Sequence, residues 1–227
     1  YIGYMTEANY LSMDKVNADW DFKTNTDWSK VAFEPSRMQK HNLAFQGGND
    51  KGTYYLSLTY LDNNGYVVGD ADTYKRLTAT INADYNIKKW LQVGTNNQIE
   101  YYKRKAVAEG SEYGSLLSSV IMLDPLTPVK YSPDNLPEHM QTMVNAGKTY
   151  LKDKDGNYYS TSAFQETDNY NPYIMRDKSN STNSGYNING VIYANLKPVK
   201  GLVITSRLGY RLSAAKSYTV NNDFYVN

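Results

Sequence analysis

The most constraining feature of this chain is a strict two-residue alternation of apolar and polar side chains that continues over several long segments. Between Arg76 and Tyr85 the alternation is unbroken. A period of two places successive side chains on opposite faces of a β-strand, whereas an amphipathic helix needs a period of about 3.6. We therefore predict a two-faced strand in which Ile81 faces outward with the apolar set, and Thr80 and Asn82 face inward.

The same pattern recurs along the chain and predicts about six strands. These are Gln39–Gln46 (the least regular), Thr53–Tyr60, Arg76–Tyr85, Leu91–Tyr102, Tyr186–Leu196 and Leu202–Leu212. Several reach the roughly nine to eleven residues that a tilted membrane strand needs and exceed the about five or six that are typical of soluble domains. Polar faces rich in Asn, Gln and Arg suit a wet lumen, and small residues on the apolar faces are acceptable to lipid. We predict an all-β, antiparallel up-and-down transmembrane β-barrel segment, with a soluble two-layer β-sandwich as the alternative.

The predicted connections alternate between short and long. Short links occupy residues 47–52, 86–89 and 197–201, whereas longer links run through Asp62-Asn63-Asn64-Gly65 and from about Arg104 to Ser184. Because consecutive hairpins alternate sides, the short links share one end of the sheet and the long links share the other. Outer-membrane barrels keep short turns on the periplasmic side and long loops outside, so this arrangement favours the barrel.

These boundaries divide the chain into an extracellular loop (1–36), four strands (37–104), a long extracellular loop (105–184), a hairpin (185–217) and the start of another loop (218–227). In the long loop, Ser115 to Leu123 has apolar residues at helical spacing and precedes Asp124-Pro125, which predicts a short helix. Asp155-Gly156 predicts a hairpin turn, and Ser179 to Ser184 is expected to be polar loop. A loop of this length is usually functional, so we expect it to be ordered and to help form an external vestibule.

Composition narrows the functional classes. The 227 residues carry 24 Lys and Arg against 23 Asp and Glu, a balance that gives no electrostatic reason to bind nucleic acid. The absence of cysteine excludes disulfides, thiolate metal sites and cysteine nucleophiles. No stretch approaches the about 18 consecutive apolar residues of a transmembrane helix. The start at Tyr1, with neither an initiating Met nor a signal peptide, is expected of a piece of a longer protein.

Motifs for catalysis are not found, and we predict no enzyme, no metal site and no cofactor. The segment Asp153–Asn157 resembles a calcium-binding loop, but its glycine is misplaced and the closing Glu is missing, so a hairpin turn is the better interpretation. His41 and His139 are far apart and have no neighbouring carboxylate pattern, which argues against a metal site or a catalytic triad.

Aromatic residues of the predicted loops are the candidates for substrate binding. Such rings could stack on sugars, although loop aromatics more often pack a loop onto its neighbours. The candidates are Trp20, Trp28 and Tyr113.

Longer sequence runs carry a family resemblance. Between about Asn25 and Tyr102 the order and spacing of several motifs resemble the barrel region of SusC/RagA-type TonB-dependent outer-membrane transporters of Bacteroidetes. The runs are Asn25-Thr26-Asp27-Trp28, His41–Gly48, Tyr54–Leu58, Tyr60–Gly65, Tyr74–Thr78, Asn82–Tyr85 and Lys89–Gly94. The later hairpin fits the same pattern without a diagnostic motif.

The resemblance implies a barrel of about 22 strands whose lumen holds an N-terminal plug. It also implies a location in the outer membrane of a Gram-negative bacterium, import of oligosaccharides or peptides, a SusD-like surface lipoprotein as partner, and energy from TonB-ExbB-ExbD acting on a TonB box. The plug and the TonB box are not present in these 227 residues, so we interpret the chain as a segment of such a transporter. The alternative function is a soluble carbohydrate-binding β-sandwich.

Overall fold

Six long strands form the framework of the molecule. The computed structural model describes residues 21, 23–107, 114–164 and 170–225. The strands are β1 (Met38–Asn49), β2 (Gly52–Asn64), β3 (Thr73–Lys88), β4 (Leu91–Ala106), β7 (Ser179–Leu196) and β8 (Ile204–Asn221), with lengths of 12 to 18 residues. Each is longer than the alternation predicted, because the ladder of hydrogen bonds continues past the regularly patterned residues. The predicted start of the last strand at Leu202 was wrong, since β8 begins at Ile204.

All six strands belong to one sheet in the order β1-β2-β3-β4-β7-β8, and every neighbouring pair is antiparallel. This up-and-down order confirms the predicted fold class. In the described part of the chain the only other sheet is a two-stranded one, so the two packed layers of the alternative β-sandwich are not present there. The six-stranded sheet is open along β1 and β8.

The register unites the predicted apolar faces into one surface. Ile81 pairs with Leu56 on one side and with Asn97 on the other, and the neighbouring row joins Leu58, Ala79 and Ile99. Because paired residues of an antiparallel sheet point to the same side, these rows form a continuous outer face. The rings of Tyr101 and Tyr186 lie on the same face toward the loop end, with centroids 4.8 Å apart.

The connections alternate as predicted. Tight turns at Asp50-Lys51 and Lys89-Trp90 and the link 197–203 lie at one end of the sheet, and links 65–72 and 107–178 lie at the other. At this second end lie α1 (Trp28–Ala32), α2 (Leu116–Met122), β5 (Lys130–Tyr131), a 3₁₀ turn (Pro133–Asn135), α3 (Glu138–Asn145), β6 (Tyr158–Tyr159) and α4 (Pro172–Asp177). We call the described residues of 23–37, 65–72, 107–178 and 222–225 the cap.

The predicted helix of the long loop is confirmed as α2. Ser115 is its N-cap, and the hydroxyl of Ser115 accepts a hydrogen bond from the backbone N–H of Ser118. The Ser118 hydroxyl in turn accepts one from the backbone N–H of Ser115, which completes a capping box. The segment Ser179–Ser184 is a correction to the prediction, since it is the start of β7 and not loop. Its polar side chains are compatible with a strand because both neighbours, β4 and β8, supply ladder partners there.

The apolar core of the described residues lies in the cap and not in the sheet. Leu116, Met140, Ile174 and Met175 are at most 1% exposed. One cluster joins five separate segments through Ala32, Val67, Val107, Leu116 and Met175. A second cluster forms around Met140, Tyr150 and Tyr158. The described residues of the long loop, 114–164 and 170–178, therefore pack around apolar clusters of their own.

Candidate functional site

A buried carboxylate organises the part of the cap beside α1 and α2. Asp124 is 4% exposed, and its Oδ1 accepts hydrogen bonds from the backbone N–H groups of Leu126 and Thr127 at 3.0 and 2.9 Å. Its Oδ2 accepts from the Ser162 hydroxyl at 2.5 Å. The backbone carbonyl of Asp124 also accepts the indole N–H of Trp28 at 2.7 Å. These contacts join the segment before β1 to two distant parts of the long loop.

A second polar centre ties α4 to β6 and to the link between β2 and β3. The Arg176 guanidinium forms a bidentate pair with Asp177 at 2.6 and 2.7 Å and donates to the Tyr159 hydroxyl at 3.1 Å. Tyr159 in turn donates to Asp177 at 2.7 Å. Burial, together with this bond to Asp177, raises the pKa of Tyr159 well above its usual range. The Arg176 guanidinium also lies 4.5 Å from the centroid of the Tyr173 ring, which adds a cation–π contact to this group.

The segment that follows β8 folds back over the long loop. The backbone N–H of Tyr225 donates to the carbonyl of Thr149 at 2.6 Å, and the Tyr225 ring packs edge-on against Tyr150 at 5.6 Å. Lys148 lies 5.3 Å from the centre of the same ring. The second apolar cluster is thus partly covered by Tyr225, which follows the edge strand β8.

The predicted turn at Asp155-Gly156 is present, and the carboxylate of Asp153 stabilises it by accepting hydrogen bonds. The Asp153 carboxylate accepts hydrogen bonds from the backbone N–H groups of Asp155 and Asn157, both at 2.9 Å, and from Lys130 at 2.8 Å. The bond from Lys130, followed by those from Asn157 and Asp155, holds the pKa of Asp153 well below its usual range. Gly156 has a φ of 87°, a conformation that favours glycine.

The inner face of the sheet carries hydrogen-bonded rows near both ends. Toward the cap, Glu100 accepts from Asn187 at 3.0 Å and lies 3.6 Å from the Arg76 guanidinium. Toward the turns, the Tyr193 hydroxyl crosses Gly94 and donates to Asp84. A third group at the turn end joins Asn195 to Gln92 at 3.0 Å and to Thr205 at 2.8 Å.

Between these rows lies a groove of about 590 Å³. We call six of its polar side chains the mid-wall patch. Register pairs Asn82 with Asn96, Thr80 with Gln98, and Gln98 with Asn189. Among the described residues, none of the six side chains has a hydrogen bond or an ion pair. The members of the mid-wall patch are Thr80, Asn82, Asn96, Gln98, Asn189 and Arg211.

Of the three aromatic residues proposed as substrate-binding candidates, the structure describes Trp28. Trp28 is 4% exposed, and its indole N–H is bonded to Asp124, so it packs the cap and offers no open ring face for a sugar. Trp20 and Tyr113 lie outside the described residues. The mid-wall patch was not singled out from the sequence, although its side chains belong to the polar faces that the alternation predicted.

The described residues contain no group of three or more His, Cys, Asp or Glu side chains placed to bind a metal ion. His41 lies in β1, and His139 lies in α3, where its Nε2 is 3.2 Å from the Thr161 hydroxyl. Across the parts of the chain that the structure describes, none of the helices is sufficiently long and apolar to span a membrane.

Sequence comparison relates the chain to parts of much longer receptors, and no family model matches it. It is 35% identical over 75 residues to TonB-dependent receptor P39 of Formosa agariphila, covering 33% of this chain and 7% of the receptor. TonB-dependent receptor P3 of the same organism is 25% identical over 191 residues, covering 82% of this chain and 16% of the receptor. TonB-dependent receptor SusC of Bacteroides thetaiotaomicron is 30% identical over 132 residues, covering 58% of this chain and 12% of the receptor. The chain thus spans less than a fifth of the length of these relatives.

Structural comparison supports the same assignment at the level of the fold. The RagAB peptide importer in its closed-closed state superposes with a TM-score of 0.64 over 91% of this chain and 21% of that one, at 22% identity. Its open-open state gives a TM-score of 0.62 over 88% of this chain and 20% of that one, at 20% identity. The resemblance found in the sequence is confirmed: the chain is similar in sequence to part of TonB-dependent receptors that include SusC, and its sheet and cap share the fold of part of the RagAB importer.

Proposed function

We propose that this chain forms part of the wall and external mouth of a SusC/RagA-type transporter in the outer membrane of a Gram-negative bacterium. The observation that carries the proposal is the division of one long-stranded sheet into an apolar outer face and a polar inner face. An outer face of this kind meets lipid, and an inner face rich in Asn, Gln and Arg lines a wet lumen. The cap lies at the end with the long links, which corresponds to the extracellular side.

The imported nutrient in this proposal is an oligosaccharide or a peptide. The sequence similarity to TonB-dependent receptor SusC supports a place among these receptors, and the similarity of fold to the RagAB peptide importer supports the peptide class. Transport energy is proposed to come from TonB-ExbB-ExbD acting on another region of the polypeptide. Neither the described geometry nor the residue types call for catalysis.

A SusD-like surface lipoprotein is the proposed partner of the cap. Helix α2 buries Leu116 in the first apolar cluster but leaves Leu117 and Ile121 more than half exposed, at 52% and 53%. These two residues are four positions apart and therefore lie on the same side of the helix. An exposed apolar helix face on an external structure is a natural contact for a partner protein.

The test uses the full-length transporter and compares a mild variant with a severe one. Replacing Leu117 and Ile121 together by Glu should reduce co-purification of the lipoprotein and slow nutrient-dependent growth while the barrel still assembles. Thr142→Glu, on the exposed side of α3, is the matched control and should leave both unchanged. Deleting residues 115–149 should abolish both. Normal growth and normal co-purification in the deletion variant would refute the role of the cap.

A further inference from the structure

Lysine side chains line the outer face of the sheet at the end that carries the cap. One register row crosses five strands and consists of Asp62, Lys75, Lys103, Ser184 and Lys216. The next row toward the cap adds Lys105, whose cross-strand neighbour is Thr182. In the described strands, Asp62 is the only acidic side chain on the outer face. We call the four lysines the lysine rim: Lys75, Lys103, Lys105 and Lys216.

The height of the lysine rim follows from the largely apolar band beside it. On β4 this band runs from Leu91 to Tyr101. About ten residues of a strand tilted by about 40° rise about 25 Å, which is the height of the apolar band of an outer-membrane barrel. Tyr60 and Tyr186 share the register row of Tyr101, so the three rings have the position of an aromatic girdle. Lys103 therefore lies about 5 Å beyond the hydrocarbon, at the level of the lipid headgroups.

Two lysines of the rim are direct cross-strand neighbours. Lys75 pairs with Lys103, and like charges directly opposite each other destabilise a sheet. The ion pair of Lys75 with Asp62, at 3.2 Å, compensates one of the two charges. Strand β4 is flanked on both sides by strands of this same chain, and neither strand places an acidic side chain beside Lys103 or Lys105. An anion from outside the sheet is therefore the natural counterion of these two lysines.

Small hydroxyl side chains form a floor between the lysines. Ser184 separates Lys103 from Lys216, and Thr182 lies beside Lys105. Alternate residues of a strand are about 6.8 Å apart, and strands with one strand between them are about 9.6 Å apart. Three ammonium groups on flexible four-carbon stems can therefore converge on one phosphate, with the two hydroxyl groups as additional donors.

The surroundings favour a lipid phosphate over a soluble anion. The rings of Tyr101 and Tyr186 lie one row from the rim and are 38% and 56% exposed. Ile192 and Leu212, farther down the same face, are 51% and 62% exposed. A lipid held by its phosphate at the rim would lay its acyl chains over this apolar surface and remove it from water. A soluble anion would leave the same surface uncovered.

We propose that the lysine rim binds the phosphate of an anionic lipid in the outer leaflet of the membrane. Lys103 and Lys105 are the principal contacts, Lys216 closes the site from β8, and the acyl chains lie along the apolar face below Tyr101 and Tyr186. The inference rests on the proposed orientation in the outer membrane, and it goes beyond the proposed transport function by assigning a class of ligand to the outer face.

Native mass spectrometry of the full-length transporter in a neutral detergent measures binding at the site. The probes are dioleoyl phosphatidic acid, dioleoylglycerol, which has the same chains without the phosphate, and inorganic phosphate. The wild-type protein should bind phosphatidic acid more tightly than dioleoylglycerol, and inorganic phosphate should compete only weakly. Lys103→Gln combined with Lys105→Gln should weaken binding of phosphatidic acid by about tenfold, because lysines near an anionic lipid each add to the attraction. The same variant should bind dioleoylglycerol as the wild type does.

Two further double variants separate the site from a general effect of charge. Lys103→Arg combined with Lys105→Arg keeps both positive charges and should retain the affinity for phosphatidic acid. Lys40→Gln combined with Arg104→Gln removes two positive charges at the same end of the sheet but on its inner face. This matched control should bind phosphatidic acid as tightly as the wild type.

Several outcomes would overturn the lipid site. Equal affinities for phosphatidic acid in the wild type and in the double glutamine variant of Lys103 and Lys105 would do so, as would equally tight binding of dioleoylglycerol. Full competition by inorganic phosphate would indicate a site for a soluble anion instead. Loss of lipoprotein co-purification in that variant, with lipid binding unchanged, would assign the rim to a protein contact. The heat-modifiable band of the folded barrel and nutrient-dependent growth report separately on the proposed function, so their persistence without lipid selectivity would refute the site alone.

Discussion

The sheet and the cap obtain their stability from different surroundings. In the cap, side chains such as Met140 and Leu116 are buried against other parts of this same chain. In the sheet, large apolar side chains such as Leu208 and Leu212 are 67% and 62% exposed, and the whole of β8 is open on both faces. The cap has its own core, whereas the sheet has ladder hydrogen bonds but an apolar surface that no described part of this chain covers.

This difference predicts which property a substitution in each region should affect. A defect in a cap cluster removes contacts that the chain makes with itself, so its effect should remain local to the cap. A defect on the outer face of the sheet changes the fit between strand and lipid, so its effect should fall on assembly. Three substitutions and one pH experiment on the full-length protein test the distinction, and they are described from the largest expected effect to the smallest.

Met140→Ala should loosen the cap without preventing barrel assembly. Met140 is 0% exposed at the centre of the second cluster. Its truncation leaves a cavity and costs about 2–5 kcal/mol of local stability. Limited proteolysis should therefore cut the long loop faster, while the heat-modifiable band of the folded barrel stays at wild-type intensity. Thr142→Ala, on the exposed side of α3, is the control. Loss of the folded band in Met140→Ala would mean that the two regions fold as one unit.

Ile81→Arg should reduce assembly, and Thr80→Arg should be tolerated. Ile81 lies in the middle of β3 on the apolar face, and Thr80 is its neighbour on the polar face. Arginine near the centre of a lipid-facing strand costs about 2–4 kcal/mol, and far less on the lumen side. The yield of heat-modifiable protein in the membrane measures the effect. Equal yields for the two variants would contradict the assignment of faces.

Gly190→Ala should weaken the outer face, whereas Gly209→Ala should not. The Tyr210 ring crosses Gly190 to reach Asn97, so an added Cβ at Gly190 would overlap with the ring. Relieving such an overlap costs about 1–3 kcal/mol. A Cβ at Gly209 would approach only the Gly190 carbonyl oxygen, at 4.0 Å. The denaturant midpoint for unfolding of the barrel should fall for Gly190→Ala and not for Gly209→Ala. Similar midpoints for the two variants would show that Tyr210 does not need a glycine at position 190.

Acid should loosen the turn at Asp153 before it affects the sheet. Hydrogen bonds from Lys130 and from the turn lower the pKa of Asp153 in the folded protein. The ionised carboxylate therefore stabilises the turn fully at any pH above the pKa of an unfolded aspartate, about 3.9. This stabilisation is lost as the pH falls from there through the folded value. Hydrogen exchange of residues 149–160, corrected for the intrinsic rate, should accelerate below about pH 4. Asp153→Asn should exchange faster at neutral pH and lose this dependence, and a wild-type profile in that variant would exclude the carboxylate as the cause.

Much of the sheet could be predicted because its signals are local. Alternation about Ile81 identified the strand and both of its faces, and the short links identified the common end of the hairpins. The helix at Leu116–Met122 was equally predictable, since its N-cap and the following Asp124-Pro125 are adjacent in sequence. Strand ends were less predictable, as the polar start of β7 demonstrates, because pairing with β4 and β8 outweighs the local composition.

The sequence by itself therefore determined the strands, their two faces and their antiparallel order, since each follows from neighbouring residues and from turn length. Tertiary structure alone decided that Trp28 is a packing residue, because its partner Asp124 is 96 positions away. It likewise brought Arg176 to the carbonyl of Val68, 108 positions away. It also decided which inner-face side chains bond to each other within the described residues. The distances between these side chains depend on the register across β3, β4, β7 and β8, which no single strand determines.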